Sequence, residues 1–78
     1  MAVLRLFAAA REAAGTASVE IPGSTVGEVL TAARLRFGEE FAAVLETSRV
    51  WRNGEATSDD EAVCDADEVA VLPPVSGG

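Results

Sequence analysis

A single strong helix pattern, with short strand patterns before and after it, constrains the fold more than any other feature. Apolar residues recur at the spacing of one helix face over residues 26–37, and Gly38 ends the pattern. Thr25 and Glu28 match a capping box, in which a hydroxyl and a carboxylate accept hydrogen bonds from free backbone N–H groups of the first turn. One such helix can cover only one face of a small sheet. The sequence therefore predicts an α+β domain of two layers.

Strand patterns flank this helix on both sides. Strands are predicted over residues 2–7, 16–21, 48–52 and 68–72. Asn53-Gly54 indicates a hairpin turn, because both residues tolerate a positive φ. The first and last strands are apolar on both faces, so we expect them at the centre of a mixed sheet.

The remaining segments are shorter or irregular. Residues 8–14 predict a short alanine-rich helix that Gly15 ends. Residues 39–46 predict a second short helical turn, and the acidic segment 55–67 is expected to be irregular. We divide the chain into a domain over residues 1–72 and an extended tail over residues 73–78.

Charge and composition limit the possible partners. The chain has 78 residues, enough for one small domain, and a formal net charge of −7. It lacks the clustered cations that nucleic-acid binding requires, and an anionic membrane surface would repel it. No apolar stretch is long enough to span a bilayer and the N-terminus does not match a signal peptide, so we expect a cytoplasmic protein.

The residue types also limit the chemistry of the chain itself. All six basic residues are arginines, and histidine is absent. The commonest general base and metal ligand is therefore missing, and no side-chain amine can accept an isopeptide bond. Cys64 is the single cysteine, which we interpret as a half-buried thiol in a reducing compartment. We expect no bound metal, no bound cofactor and no catalysis by the chain alone.

The end of the sequence carries the most specific chemical pattern. After the last strand come two prolines and, two residues later, two glycines, in the order Pro73, Pro74, Val75, Ser76, Gly77 and Gly78. The prolines favour a stiff extended stem, and glycines can enter a channel too narrow for side chains. Such a tail could deliver its terminal carboxylate to another protein's active site. Adenylation would activate that carboxylate, and a sulfur nucleophile could then displace AMP to leave a thiocarboxylate. The alternative is an inert, frayed terminus or linker.

The C-terminal segment of the chain resembles that of a known family. The segment 65–78, an acidic turn followed by an apolar strand and the ending Pro-Pro-Val-Ser-Gly-Gly, is similar to the small subunit of molybdopterin synthase, in the MoaD/ThiS group of ubiquitin-like sulfur carriers. Supporting matches are Phe7, Arg11-Glu12, Gly15, Thr25-Val26 and Asn53-Gly54-Glu55. Ala66 stands where the family usually has glycine, which would strain the turn if a positive φ were needed. The resemblance implies a ubiquitin-like β-grasp fold, a mixed sheet with one main helix on one face.

The resemblance also implies a role and a set of partners. A ubiquitin-activating-type adenylyltransferase would bind ATP and Mg²⁺ and adenylate Gly78. A cysteine desulfurase or rhodanese-type donor would supply sulfur. The thiocarboxylate would then enter the large subunit of molybdopterin synthase and donate sulfur to the pterin precursor. Gly78 would carry the reactive carboxyl group, Gly77 would pass the channel, and a stem would contact the partner through Pro73, Pro74, Val75 and Ser76.

Other functions remain open on the sequence. The same tail chemistry serves sulfur carriers for thiamine thiazole or cysteine synthesis, and an acyl-adenylate would also let a ubiquitin-like modifier join protein lysines. The sheet face opposite the helix should carry some of the apolar residues Val3, Phe7, Trp51, Ala70 and Leu72. These residues either form an exposed docking patch or are covered by the segments 8–15 and 39–46. The acidic residues of the segment 59–68 form a solvated loop or steer the chain toward basic partners.

Overall fold

The computed structural model describes residues 1–73, which form five strands and three helices. In chain order the elements are β1 (Ala2–Leu6), α1 (Ala8–Ala14), β2 (Ser18–Ile21), α2 (Val26–Phe37), α3 (Glu39–Thr47), β3 (Arg49–Arg52), β4 (Glu55–Ala56) and β5 (Glu68–Leu72). The order of predicted elements is confirmed. Among these residues no helix is long and apolar enough to cross a membrane.

The strands form one mixed sheet in the order β2-β1-β5-β3-β4. β1 and β5 are parallel neighbours, with Leu4 opposite Val69 and Leu6 opposite Val71. The other neighbouring pairs are antiparallel. β5 is thus the middle strand and β1 lies beside it, which confirms that the two ends of the sequence supply the centre of the sheet.

The hydrophobic core lies between one sheet face and the three helices. Alternate residues of β1 and β5 are buried there, and the helices contribute Ala10, Val29, Leu30, Phe41 and Leu45. The Phe41 ring packs on the Phe37 ring, with centroids 5.1 Å apart. Burial of this apolar surface is the main contribution to the stability of the domain. The predicted α+β, two-layer β-grasp architecture is therefore confirmed.

Two elements differ from their predictions. α3 is a helix of nine residues rather than a short turn, and its buried Phe41 and Leu45 explain why it is held against the core. The segment 55–67 is not irregular at its start, because Glu55 and Ala56 pair with Arg52 and Trp51 to form β4. The helical layer is therefore broader, and the sheet one strand wider, than the sequence predicted.

The start of α2 confirms the capping box with one change. The Thr25 hydroxyl accepts a hydrogen bond from the Glu28 N–H at 3.2 Å, as predicted. The Glu28 carboxylate instead accepts from the N–H of Ser24, one residue before the capping threonine, at 2.9 Å. The first-turn N–H groups of Val26 and Gly27 donate to backbone carbonyls of the acidic segment. The backbone of that segment therefore satisfies two of the free N–H groups at the start of the helix.

Candidate functional site at the end of the central strand

The middle strand of the sheet leads directly into the segment that carries the predicted chemistry. β5 ends at Leu72, and Pro73 follows as an exposed residue without regular secondary structure. Pro73 has no backbone N–H, so it cannot extend the strand pairing. The other predicted site residues lie outside the described residues: Pro74, Val75, Ser76, Gly77 and Gly78. Their roles stay predictions.

Around this exit, one corner of the helix-free sheet face carries aromatic, aliphatic and cationic side chains. In the pairing of β3 with β5, Arg49 is opposite Leu72 and Trp51 is opposite Ala70. Phe7 follows β1, and its N–H donates to the carbonyl of Val71 at 3.3 Å. We name this corner the tail-base surface, comprising Phe7, Arg49, Trp51, Ala70 and Leu72.

The tail-base surface is open to solvent on the side away from the helices. Phe7 is 39% exposed, while Trp51, Ala70 and Leu72 are half-buried by their neighbours in the sheet. The two segments that could have covered them are the helices α1 and α3. Their buried residues belong to the core on the opposite face. The expectation of an accessible apolar patch is therefore confirmed, and coverage by these segments is wrong.

A strained backbone position adjoins this surface. Ala8 has φ 51°, in the left-handed region that residues other than glycine rarely occupy. It directly follows Phe7, whose φ of −129° is extended. The sharp change of direction between them turns the chain from β1 into α1, where Ala10 is buried. Core packing of α1 thus holds the turn that leaves Phe7 at the tail base.

Arg49 is a member of the surface that sequence reasoning missed. The alternation of β3 places it on the same face as Trp51, so the strand pattern contained the necessary signal. Arg49 is exposed, and the salt bridges found within residues 1–73 do not include it. On the same face, Arg5 lies 3.4 Å from the Glu68 carboxylate. The tail base therefore presents a positive charge on a chain that is acidic as a whole.

The other end of β5 is fixed by a hydrogen-bonded group around Asn53 and Asp67. The Asn53 side-chain amide donates to Asp67 Oδ1 at 2.9 Å, and Asn53 Oδ1 accepts from the Glu68 N–H at 2.9 Å. The second carboxylate oxygen of Asp67 accepts from the Cys64 N–H at 2.7 Å. These bonds connect the β3–β4 turn to the first residue of β5. They therefore fix the starting point of the strand that ends at the tail base.

The hydrogen bond from Asn53, followed by that from the Cys64 backbone and the nearby Arg52 charge, lowers the pKa of Asp67 below its ordinary value. A hydrogen bond from Ser58 likewise lowers the pKa of Asp60.

The turn before β5 does not place Ala66 at a positive φ, so alanine is accommodated there without backbone strain. Cys64 is exposed, and the expectation of a half-buried thiol is wrong.

Comparisons with known proteins agree on the class of molecule. A curated relative, small archaeal modifier protein 1 of Haloferax volcanii, is 40% identical over 86 aligned positions, covering 95% of this chain and 97% of the relative. A solved chain of the BexX/CysO complex of Amycolatopsis orientalis has TM-score 0.82 and 25% identity, with 100% of each chain covered. A candidate molybdopterin converting factor, subunit 1, from Pyrococcus furiosus has TM-score 0.80 and 28% identity, covering 95% of this chain and 97% of that one.

The fold and these likenesses define a small ubiquitin-like protein of the sulfur-carrier and modifier type, a carrier or subunit rather than a catalyst on its own. The model of the ThiS family matches residues 4–78. The chain therefore belongs to the ThiS family.

Proposed function

We propose that this protein is the sulfur-donating small subunit in molybdopterin synthesis, with its reactive group at the carboxyl end of Gly78. The observation that carries the proposal is the position of β5, the middle strand, which leads into Pro73 beside the exposed tail-base surface. The family match that continues to residue 78 supports it. Five residues after Pro73 can span at most about 18 Å, which suits delivery of a terminal group into a partner.

The chemistry proposed for Gly78 proceeds in two transfers. A carboxylate oxygen attacks the α-phosphorus of ATP, and pyrophosphate leaves as the acyl-adenylate forms. The terminal sulfur of a persulfide donor then attacks the acyl carbon, and AMP leaves. A thiol of the donor reduces the resulting disulfide, becomes oxidised to a disulfide itself, and releases the thiocarboxylate. ATP and Mg²⁺ belong to the activating partner in this scheme.

We assign three partners to these steps. They are a ubiquitin-activating-type adenylyltransferase, a cysteine desulfurase or rhodanese-type sulfur donor, and the large subunit of molybdopterin synthase. The tail-base surface suits the first and last of these, because its apolar area surrounds the exit of the tail. Arg49 would favour a partner that presents a carboxylate beside an apolar depression. We propose that this assembly works in the cytoplasm.

A reconstituted reaction tests the docking part of this proposal. With the adenylyltransferase and ATP, Phe7→Ser should slow adenylation, because it removes the most exposed aromatic ring from the tail-base surface. Leu35→Ser is the matched control, since Leu35 is also exposed but lies on the helical side. Equal rates for Phe7→Ser and the unchanged chain would contradict docking at this surface.

A second candidate function is covalent modification of other proteins. The observation that favours it is the 40% identical relative, whose name is that of a modifier protein. The same acyl-adenylate could pass Gly78 to the amine of a target lysine, with loss of AMP and one proton. Isopeptide-linked Gly78 on other proteins, found by mass spectrometry of digests, would support this function.

The sulfur acceptor is tested by supplying alternatives side by side. Thiocarboxylated chain should convert the pterin precursor to its dithiolene with the molybdopterin synthase large subunit. Sulfur transfer with a thiazole synthase or a cysteine-forming synthase, and none to the pterin, would contradict the proposed pathway. That result would still support a sulfur carrier that acts through Gly78.

A further inference from the structure

One edge of the sheet is a strand that has no neighbour on its outer side in the described part of the chain. β2 pairs with β1 and is the first strand in the order β2-β1-β5-β3-β4. The backbone N–H and C=O groups along such an edge are a template for pairing with a strand of another molecule. The bonding of these groups therefore decides whether the chain can take up a partner strand.

The pairing with β1 shows which backbone groups of β2 point outward. The Leu6 N–H donates to the Ala17 carbonyl at 2.9 Å, so these two residues are a hydrogen-bonded pair. Hydrogen-bonded and non-hydrogen-bonded pairs alternate along antiparallel strands. In the register of the two strands, Ser18 and Glu20 are therefore in non-hydrogen-bonded pairs. Their N–H and C=O groups point away from β1, along the free edge.

Both outward groups of Ser18 are bonded to one side chain. The Thr16 hydroxyl donates to the Ser18 carbonyl at 3.0 Å and accepts from the Ser18 N–H at 3.4 Å. A hydroxyl can do both, because it has one donor hydrogen and two acceptor lone pairs. Local bonds of this kind offer the backbone an alternative to sheet pairing. Thr16 therefore makes the hydrogen bonds that a neighbouring strand would make at Ser18.

The rest of this edge offers little to a partner strand. Pro22 directly follows β2 and has no N–H to donate. Between Ser18 and Pro22, the outward backbone groups are those of Glu20, whose exposed carboxylate places a charge on the edge. Two copies of this edge side by side would also bring like charges together.

The opposite edge of the described sheet is protected by its length. β4 contains only Glu55 and Ala56. A very short edge strand gives another strand too few backbone groups to pair with. The two edges are thus closed by different means, one by the Thr16 side chain and one by a strand of two residues.

We propose that Thr16 is an edge cap, a side chain that closes β2 to strands of other molecules, including further copies of this chain. With both edges closed, no partner strand extends the sheet. Protein partners then bind the faces of the domain, such as the tail-base surface, rather than its edges. The edge cap stands whether or not the sulfur chemistry proposed for Gly78 is correct.

Hydrogen exchange of single amides, measured by NMR, tests the hydrogen bonds of the edge cap. Thr16→Val keeps the shape of the side chain and removes its hydroxyl, so the Ser18 amide should exchange about two- to tenfold faster. Thr16→Ser keeps the hydroxyl and should leave that rate unchanged. The Leu6 amide, which bonds to the inner side of this segment, is the internal control. Equal Ser18 rates in all three chains, or an equal rise at Leu6, would overturn the proposal.

Sedimentation equilibrium tests whether the cap closes the edge, and it needs a matched pair of variants. The open-edge variant combines Thr16→Val with Glu20→Thr, which removes the hydroxyl and the edge charge and introduces residues that favour strands. The control combines Thr47→Val with Glu20→Thr, so both chains have the same composition and net charge. Thr47 is exposed at the end of α3, where its hydroxyl donates to the Val44 carbonyl.

We expect the open-edge variant to dimerise with a dissociation constant at least about tenfold below that of the control. In its dimer, the amides at positions 18 and 20 should become protected from exchange, because they pair with the second copy. An open-edge variant that stays monomeric up to about millimolar protein would overturn the proposal. Equal association of the two variants would overturn it as well.

Discussion

Ala8, which follows Phe7 of the tail-base surface, has a strained backbone conformation that the surrounding packing maintains. Its φ of 51° costs about 1–2 kcal/mol relative to an ordinary helical residue, and the burial of Ala10, two residues further along the chain, offsets this cost. Glycine has no such penalty. We therefore expect Ala8→Gly to raise the free energy of unfolding by up to about 1 kcal/mol in urea titrations.

The neighbouring alanine provides the control for this prediction. Ala9 is exposed within α1, and its φ is not positive. Ala9→Gly should lower the free energy of unfolding by up to about 1 kcal/mol, because glycine is a poor residue inside a helix. If both variants were destabilised equally, Ala8 would not be strained.

The contribution of Asp67 to the stability of the folded chain depends on pH. Its pKa is lowered in the folded chain, so between that value and about 3.9 the unfolded chain binds more protons than the folded one. The contribution of Asp67 is thus present above about pH 4 and is lost as the pH falls through its folded pKa. We expect the melting temperature to fall with acidification below about pH 4.

Replacement of the carboxyl group tests this dependence. Asp67→Asn should melt at a lower temperature at neutral pH and should lose less stability between neutral and acidic pH. Asp59→Asn is the matched control, because the side-chain hydrogen bonds found in residues 1–73 do not include Asp59. An unchanged pH dependence in Asp67→Asn would contradict this role.

At the scale of the elements, the turn from β2 into α2 depends on one close approach. A Cβ added at Gly23 would lie 2.8 Å from both the backbone N and the Cγ2 of buried Val29. The backbone of α2 cannot move away without disturbing the core. We expect Gly23→Ala to lower the free energy of unfolding by about 1–3 kcal/mol in urea titrations.

Gly15 distinguishes this crowding from a general cost of replacing glycine. Gly15 has φ 77°, and a Cβ added there would have no other atom within 4 Å. Gly15→Ala should therefore lower the free energy of unfolding by only about 1 kcal/mol, through backbone strain alone. Gly23→Ala should therefore be the more damaging change. The reverse order would contradict the close approach.

The elements also show what the sequence could predict. β5 matches its predicted bounds of 68–72, because the continuous apolar run 69–72 ends at a proline. The Asn53-Gly54 hairpin turn indicates that a strand follows β3, but the extent of β4 could not be predicted, since Glu55-Ala56 has no apolar pattern and is held by its pairing with β3. α3 covers its predicted range of 39–46 and one residue more, and it is a full helix rather than a turn because Phe41 and Leu45 pack in the core.

The sequence could likewise predict one part of the candidate site and not the other. The alternation of side chains along the strands predicts Phe7, Trp51 and Leu72 on the helix-free sheet face, and the structure confirms this placement. The contact between Asn53 and Asp67 joins two turns whose residues are 14 apart in the chain, so no local pattern could indicate it. Local periodicity predicts faces, whereas side-chain pairing depends on the three-dimensional arrangement of the turns.

At the scale of the whole molecule, the domain should fold independently of its last residue. The core residues lie within positions 2–71, so a chain that lacks Gly78 should melt at the same temperature as the complete chain. We expect that truncated chain to transfer no sulfur, because its terminal carboxyl group is then that of Gly77, which lies one residue, about 3.5 Å, short of the position that Gly78 would reach. Circular dichroism and sulfur-transfer assays on the same samples measure both results. Normal transfer by the truncated chain would contradict a role for Gly78.

The most direct test of the carrier function is the intact mass of the chain after incubation with ATP, Mg²⁺, an adenylyltransferase of the ubiquitin-activating type and a persulfide donor. We predict a mass increase equal to the exchange of one oxygen for one sulfur, assigned to residue 78 by fragmentation and absent from a chain with an amidated end. An unchanged mass, or the same increase in the amidated chain, would contradict a sulfur carrier that acts through its C-terminal carboxyl group.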